Sequence, residues 1–508
     1  MASSDSNLVA FLLGGKDSDR IALRLPGRDY TYGELQSAAS AIAGHLLRLG
    51  GRYSDRCALI SENSFFWVAA YLGILRAGMV AVPLPANFPS EDLAHVLRIV
   101  EARIAFVQRE FAVKAADHFQ GIHLVTDRQA PSVWGSASQT TLGQACTEGN
   151  CSDRPLPCVG RQDLAALMFT SGSTGTPRGV MVSHANVMAN TESIIQYLQL
   201  SERDRIMAVL PFHYCFGTSL LHTHLRVGGS LVIDQRFMYS EVVLQTMIET
   251  ECTGFAGVPS HFQILLRNSS LRERTFPCLR YVQQAGGHLA PVFIMDLKKA
   301  LPGTQIFIMY GQTEATARLS YLPPDLLEKK LGSIGKGIPG VKLQVLDETG
   351  NPISPGMVGE VVAEGENITQ GYWRDPEETV KSFRQGRLYT GDLATVDEDG
   401  FIYVVDRDKD FVKCGGKRVS CRQIEDRLLG WEGVLEAAVI GVPDDVLGEA
   451  IKAFVVPSKE DSNGLADRLR LFCKERVPSF MIPRDIIVVR CLPKNSAGKV
   501  LKRDLKNG

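Results

Sequence analysis

The sequence has no CxxC pair, no cysteine joined to a histidine at zinc-finger spacing, and no apolar run near the roughly eighteen residues of a membrane span. Its eleven cysteines are scattered. An odd, unclustered set points to reduced thiols in a cytoplasmic setting rather than to a disulfide framework. A surplus of charge is missing as well: 55 Lys and Arg stand against 56 Asp and Glu, a formal net charge of −1. That balance argues against a broad nucleic-acid footprint and leaves only local anion sites open. The opening MASSDSNLVAFLLGG has no basic stretch ahead of its short apolar run, so neither a secretion leader nor a membrane anchor is expected. Internal repeats and low-complexity tails are also lacking. What remains is ordinary for a folded chain: 45% hydrophobic and 22% charged over 508 residues. This is too long for a single core, and at least two domains are expected.

The apolar pattern predicts alternating helices and buried strands in the first part. TYGELQSAASAIAGHLLRL (31–49) and residues 65–77 have helical spacing, while CALIS (57–61) and MVAVPL (79–84) read as buried strands. Helix and strand in alternation imply an α/β layered domain with a largely parallel sheet. Residues 128–162, richer in Ser, Gln, Gly, Pro and Thr, read as a surface connection. From about 341 the texture changes to twofold alternation around Gly and Pro turns, as in small antiparallel hairpins. A compact α+β stretch follows. The boundary is placed at DRDKD (406–410), giving a large domain over 1–408 and a small one over 409–508.

The most informative segment is LAALMFTSGSTGTPRGVMVS (164–183). Leu164–Phe169 reads as a buried strand that runs into a loop of glycines and small hydroxyl residues. Such a loop lets backbone N–H groups converge on phosphate oxygens without Cβ obstruction, and hydroxyls add donors. A Walker loop is excluded because no GK[ST] follows at the required spacing. Ser183 is the expected N-cap of a helix carrying Val187, Met188, Ile194, Ile195 and Leu198. A flexible linker would not sit between two such well-patterned elements.

TSGSTGTPRG resembles the signature loop of the adenylate-forming superfamily: acyl- and aryl-CoA synthetases, peptide-synthetase adenylation domains and firefly luciferase. The resemblance implies that Thr170, Ser171, Gly172, Ser173, Thr174, Gly175 and Arg178 bind ATP phosphates. Arg178 stands where the family usually has Lys, which exchanges a point donor for a planar fork. Further segments fall in the family's order. YGQTEA (310–315) is similar to the motif in which Thr313 contacts the α-phosphate and Glu314 helps bind Mg²⁺, with Tyr310, Gly311 and Gln312 on the nucleotide side. QAGGHL (284–289) resembles the strand end, with Gly286 and Gly287, that flanks adenine and the acyl group. YTGDLA (389–394) supplies Asp392 for the ribose hydroxyls. DRDKDFVKCGGKRVS (406–420) resembles the hinge, with Arg407 near the ribose and Lys409 at the pivot. PKNSAGKVLKRDL (493–505) is similar to the C-terminal catalytic loop, with Lys499 as its lysine. The implied fold is a large N-terminal domain of layered sheets and helices with a small, mobile α+β C-terminal domain. The implied reaction makes an acyl-adenylate from ATP, with Mg²⁺, and passes the acyl group to a thiol.

LPFHYCFGTSLL (210–221) bears on which acid is used. No carboxylate lies between His213 and His224, so an α-ammonium would lack its counter-charge. The segment resembles acyl- and aryl-CoA synthetases and implies an apolar acid, fatty or aryl. His213, Tyr214, Phe216 and Gly217, with His288 beside Gly286 and Gly287, would line the acyl pocket. The Gly415–Gly416 turn resembles the place where the family passes pantetheine. Coenzyme A is the expected acceptor. The phosphopantetheine of an acyl carrier protein is the alternative, and a catalytically inactive regulatory homologue or an oxygenase of the luciferase type stays open.

Overall fold

A computed structural model describes residues 7–129, 139–149, 155–171, 177–407, 411–444, 446–458, 464–495 and 498–506. The gathered site expectations at Gly172, Ser173, Thr174, Gly175 and Lys409 lie outside these residues. For Ser171 and Arg407 only the backbone is described.

The expected helices form where their caps and apolar spacing place them. Helix Tyr32–Arg48 begins at a capping box, with Thr31 accepting from the Glu34 amide and Glu34 returning the bond. Helix Phe65–Arg76 starts on Ser64 and is buried from Phe66 to Leu75, as its all-round apolar sequence requires. Ser183 caps helix His184–Leu198, as anticipated.

Two parallel-rich sheets enclose these helices. The first has nine strands in the spatial order Lys336–Gly337, Ser320–Leu322, Gln305–Tyr310, Tyr281–Gln284, Gly254–Gly257, Arg205–Ala208, Ser230–Ile233, Ile21–Leu25 and Arg28–Thr31. Its centre is parallel and its edges antiparallel. The second has seven strands, from Gln139–Thr141 at one edge through Arg56–Ile60 and Val80–Leu84 to the hairpin Leu164–Ser171 and Pro177–Ser183. One apolar cluster joins strands of both sheets to the intervening helices, with Trp67, Tyr71, Leu72, Phe106, Phe212 and Leu220 among its members.

Two sequence expectations need correction. The 128–162 stretch is more than a connection: Gln139–Thr141 extends the seven-stranded sheet and helix Leu142–Gly149 packs on helix Tyr32–Arg48. Its strand is only three residues long and polar, so it carries no periodicity to read. The glycine-rich loop does not lead directly into a helix either. Strand Pro177–Ser183 returns first, antiparallel to Leu164–Ser171.

The change of texture near 341 is a five-stranded antiparallel sheet containing Val341–Leu346, Gly359–Gly365, Phe383–Arg384, Arg387–Val396 and Ile402–Arg407. A fourth sheet, with Phe411–Cys414, Lys417–Ser420, Val434–Asp444, Gly448–Pro457 and Asp485–Val488, forms the smaller C-terminal domain with its helices. A second apolar cluster continues from Phe262 and Phe293 into Val439, Ile451 and Val455 of that domain.

Candidate active site

A cavity of about 560 Å³ opens at the carboxyl ends of the nine-stranded sheet. There strand Gly254–Gly257 gives way to Val258, Tyr281–Gln284 to Gly286, and Gln305–Tyr310 to Gly311. Ligands of open α/β sheets bind at such ends, because the loops that follow the strands diverge there.

Of the expected residues, the cavity brings together Thr170, Arg178, Tyr214, Phe216, Gly217, Gly286, Gly311, Gln312, Thr313, Glu314 and Lys499. The Gly311–Glu314 turn reaches it because residue 311 has no side chain. A Cβ there would lie 1.9 Å from the carbonyl oxygen of Ala317. Thr369 pins Glu314 by donating its amide and hydroxyl to the Glu314 carbonyl at 3.0 and 2.9 Å. The Glu314 carboxylate accepts from the Tyr372 hydroxyl at 2.8 Å. The Thr313 hydroxyl lies 3.5 Å from the Cys215 sulfur.

Arg178 is committed to two acids, Asp375 at 3.2 Å and Glu378 at 3.0 Å. Its fork thereby joins the returning strand of the phosphate hairpin to helix Pro376–Ser382. Lys499 enters from the C-terminal domain, its own N–H donating to Asn495 Oδ1 at 3.0 Å. The other two lysines of the segment pair with glutamates: Lys494 with Glu436, and Lys502 with Glu425 at 2.8 Å. Lys499 is the lysine of that segment that faces the cavity.

Asp392 is buried beside the cavity wall formed by Thr390 and Gly391. Its carboxylate accepts from the Tyr310 hydroxyl at 2.6 Å, and it stands opposite Arg407 in the antiparallel register. The two residues expected at the ribose are thus cross-strand neighbours.

Other expectations are placed elsewhere. Gly287 adjoins the cavity without lining it. His213 borders a separate cleft of about 400 Å³ with Asn63, Gln108 and Lys114. Its ring packs 4.4 Å from that of Tyr214, its Nε2 has no hydrogen-bond partner, and burial lowers its pKa to about 3. His288, expected at the acyl group, instead meets the C-terminal helix Cys421–Leu429. Its Nε2 lies 2.8 Å from Asp426, and Arg422 reaches Nδ1. Burial, aided by the Arg422 guanidinium, holds that imidazole below its ordinary value. Gly415 and Gly416 form the tight turn between Phe411–Cys414 and Lys417–Ser420, both at positive φ, and do not line the cavity.

Sequence reasoning missed Tyr372, Asp375 and Glu378, although Asp375-Pro376 is a legible helix start. It also missed Arg318. None of these carries a local signal of its neighbours.

The site suits a magnesium nucleotide better than a caged metal. Among the described residues no group of three or more His, Cys, Asp or Glu could hold a metal ion. Three carboxylates line the cavity, Glu314, Glu360 and Glu378, and Glu378 is paired with Arg178; Mg²⁺ characteristically takes one or two carboxylates with the rest of its shell from phosphates and water. No described helix is long and apolar enough to cross a membrane.

The family model described as AMP-binding enzyme matches residues 14–373, and that of the AMP-binding enzyme C-terminal domain matches 423–499. The chain is 31% identical over 490 residues to a feruloyl-CoA synthase of Amycolatopsis sp, with 96% of this chain and 95% of the other covered. It is 28% identical over 520 residues to a long-chain-fatty-acid–CoA ligase of Salmonella typhimurium, covering 96% and 92%. The o-succinylbenzoate CoA synthetase of Bacillus subtilis, solved with its acyl-adenylate intermediate, superposes with a TM-score of 0.85 at 26% identity, covering 99% and 98%. Matches that leave so little of the sequence uncovered show that the chain belongs to the AMP-binding enzymes, the adenylate-forming family its motifs resemble.

Proposed function

We propose that the protein is an AMP-forming acyl-CoA ligase. An oxygen of the acid's carboxylate attacks the α-phosphorus of ATP and pyrophosphate leaves. The thiol of coenzyme A then attacks the acyl carbon, gives up its proton, and AMP leaves. The observation that carries this reading is the meeting of Lys499 with Thr170, Thr313 and Glu314 on one cavity, from three segments each more than a hundred residues from the next. The first step brings one anion onto another, and a cation fixed beside the α-phosphate offsets the charge that gathers there. Lys499 is assigned that part. Thr313 hydrogen-bonds the same phosphate, and Glu314 would hold Mg²⁺, which would supply positive charge against the phosphates. Thr170–Gly175 cradle the phosphates, and Arg178 contributes to them by releasing Asp375 or Glu378. Asp392 and Arg407 take the ribose.

The acyl group lies along Tyr214, Phe216, Gly217 and Gly286. Coenzyme A is favoured as acceptor because relatives matched over nearly their whole length include a long-chain-fatty-acid–CoA ligase and a feruloyl-CoA synthase. The small domain, 409–508 in this reading, brings Lys499 in for the first step, and the Gly415–Gly416 turn serves the second.

The test is ATP–pyrophosphate exchange over a panel of fatty, aryl, dicarboxylic and α-amino acids, followed by chromatography for a CoA thioester. Exchange with acids lacking an α-ammonium, and a thioester only with ATP, Mg²⁺ and CoA together, is expected. Stronger exchange with a common amino acid, or none with any acid, contradicts the assignment.

A further inference from the structure

Among the largest fully buried side chains, Arg318 is the one that bears a charge. It is 1% exposed. Its backbone is held in place: the Arg318 carbonyl accepts from Asn190 at 3.1 Å and from Asn367 at 2.9 Å. Its side chain is poorly served. The guanidinium lies 4.0 Å over the Phe216 ring, and Nε meets the Met309 sulfur at 3.4 Å. Nη2 is buried with no hydrogen-bond partner. The titratable groups facing it are the Tyr197 hydroxyl, which hydrogen-bonds the guanidinium, and the Cys215 thiol, both neutral because burial raises their pKa values. No carboxylate is paired with it among the described residues.

A buried cation without a counter-ion is expensive, and an apolar side chain of similar size would fill the space at less cost. The guanidinium therefore suits a partner that arrives from outside, and its planar fork matches a carboxylate. The route is short. Phe216, which the guanidinium covers, and Cys215, whose thiol feels its charge, also line the cavity that holds Glu314 and Lys499. Behind Cys215 lies a void of about 20 Å³, lined in part by Asn190, Thr191, Ser219, His222 and Thr316. That is room for one water-sized group, and the lining also includes the apolar Ala166, Met168, Val182 and Val187. Arg318 itself lines neither space and stands behind Phe216 and Cys215.

We propose that Arg318 is a specificity-determining residue and that the acid is a dicarboxylate. Its second carboxylate, at the far end of an apolar or aromatic body, pairs with Arg318 once the Phe216 ring turns aside. This rests on the ligase reading and narrows its acid from a plain fatty or aryl acid to one with two charged ends.

Matched pairs test it: octanedioate against octanoate, and 4-carboxycinnamate against cinnamate, in pyrophosphate exchange with wild type and Arg318→Met. At least one diacid should exceed its mono-acid in kcat/KM by on the order of 10²-fold, the effect of leaving a buried charge unpaired. Arg318→Met should lose that preference by lowering the diacid and sparing the mono-acid. Mono-acids that equal or beat both diacids in wild type overturn the proposal, as does a variant that falls equally on both members of a pair. Thermal unfolding with acid alone, without ATP, reads the subsite apart from catalysis. A diacid should raise the wild-type Tm where its mono-acid does not, and no difference overturns the proposal. Those wild-type comparisons decide the matter even if Arg318→Met does not fold. Absence of exchange with every acid counts against the ligase reading, while the melting result still decides Arg318.

Discussion

Lys499 and its neighbours show how much a single side chain's surroundings matter. Three lysines lie within nine residues of one another, yet Lys494 and Lys502 are tied to glutamates while Lys499 lines the cavity. Charge crowds at the α-phosphate in the first half-reaction, and a preorganised cation is worth on the order of 10²–10³ in rate there. Thiol attack on a finished adenylate expels a good leaving group and needs that cation far less. Lys499→Ala should therefore lower pyrophosphate exchange by about 10²-fold or more. Supplied with pre-made acyl-adenylate and CoA, the same variant should run near the wild-type rate in a single-turnover thioester assay. Equal losses in both assays would assign Lys499 a structural part.

The turn from Gly311 to Arg318 is the element on which the site depends most. It leaves strand Gln305–Tyr310, passes Thr313 and Glu314, and folds back so that the Leu319 amide donates to the Tyr310 carbonyl at 2.9 Å. Thr316 takes a φ of 67° to make that reversal, and its hydroxyl donates to the Asn367 carbonyl at 2.7 Å. Gly311→Ala would set a methyl 1.9 Å from one backbone oxygen and 2.8 Å from the Arg318 Cα. Backbone must then move, at a cost of about 1–3 kcal/mol for overpacking. We expect a lower Tm and at least tenfold slower exchange. Gly143→Ala is the control, since it lies in helix Leu142–Gly149 with nothing within 4 Å of the added carbon. Helix propensity predicts that it will hold or raise the Tm. Matching losses in the two variants would show that the close approach at Gly311 is not what matters.

Across the described residues, burial keeps five histidines well below their ordinary pKa. It lowers His184, His224 and His261 to about 4, and His213 and His222 to about 3. Between those values and the ordinary histidine pKa of about 6.5, the unfolded chain binds protons that the folded chain does not. Stability is then fully present above about pH 6.5 and falls as the pH drops, by up to about 1.4 kcal/mol per pH unit for each such group. The melting temperature should hold from pH 7.5 to about pH 6.5 and then decline toward pH 5, before the carboxylates begin to titrate. A flat profile over that range contradicts the neutral assignments.

Periodicity and capping residues determined the helices at Tyr32–Arg48 and His184–Leu198 and the buried strands between them, because caps and amphipathic spacing are local properties. The motif segments were legible for the same reason: TSGSTGTPRG and YGQTEA are short, and their chemistry is written in consecutive residues. The tertiary structure decided what depends on distance. It turned Arg178 toward Asp375 and Glu378, set Tyr372 on Glu314, and drew His288 to the C-terminal helix. It also buried Arg318 with no carboxylate paired to it among the described residues, and neither burial nor the lack of a counter-charge leaves a mark on the neighbouring letters. Both are properties of contacts between segments far apart in the chain, and those contacts exist only once the sheets have closed around them.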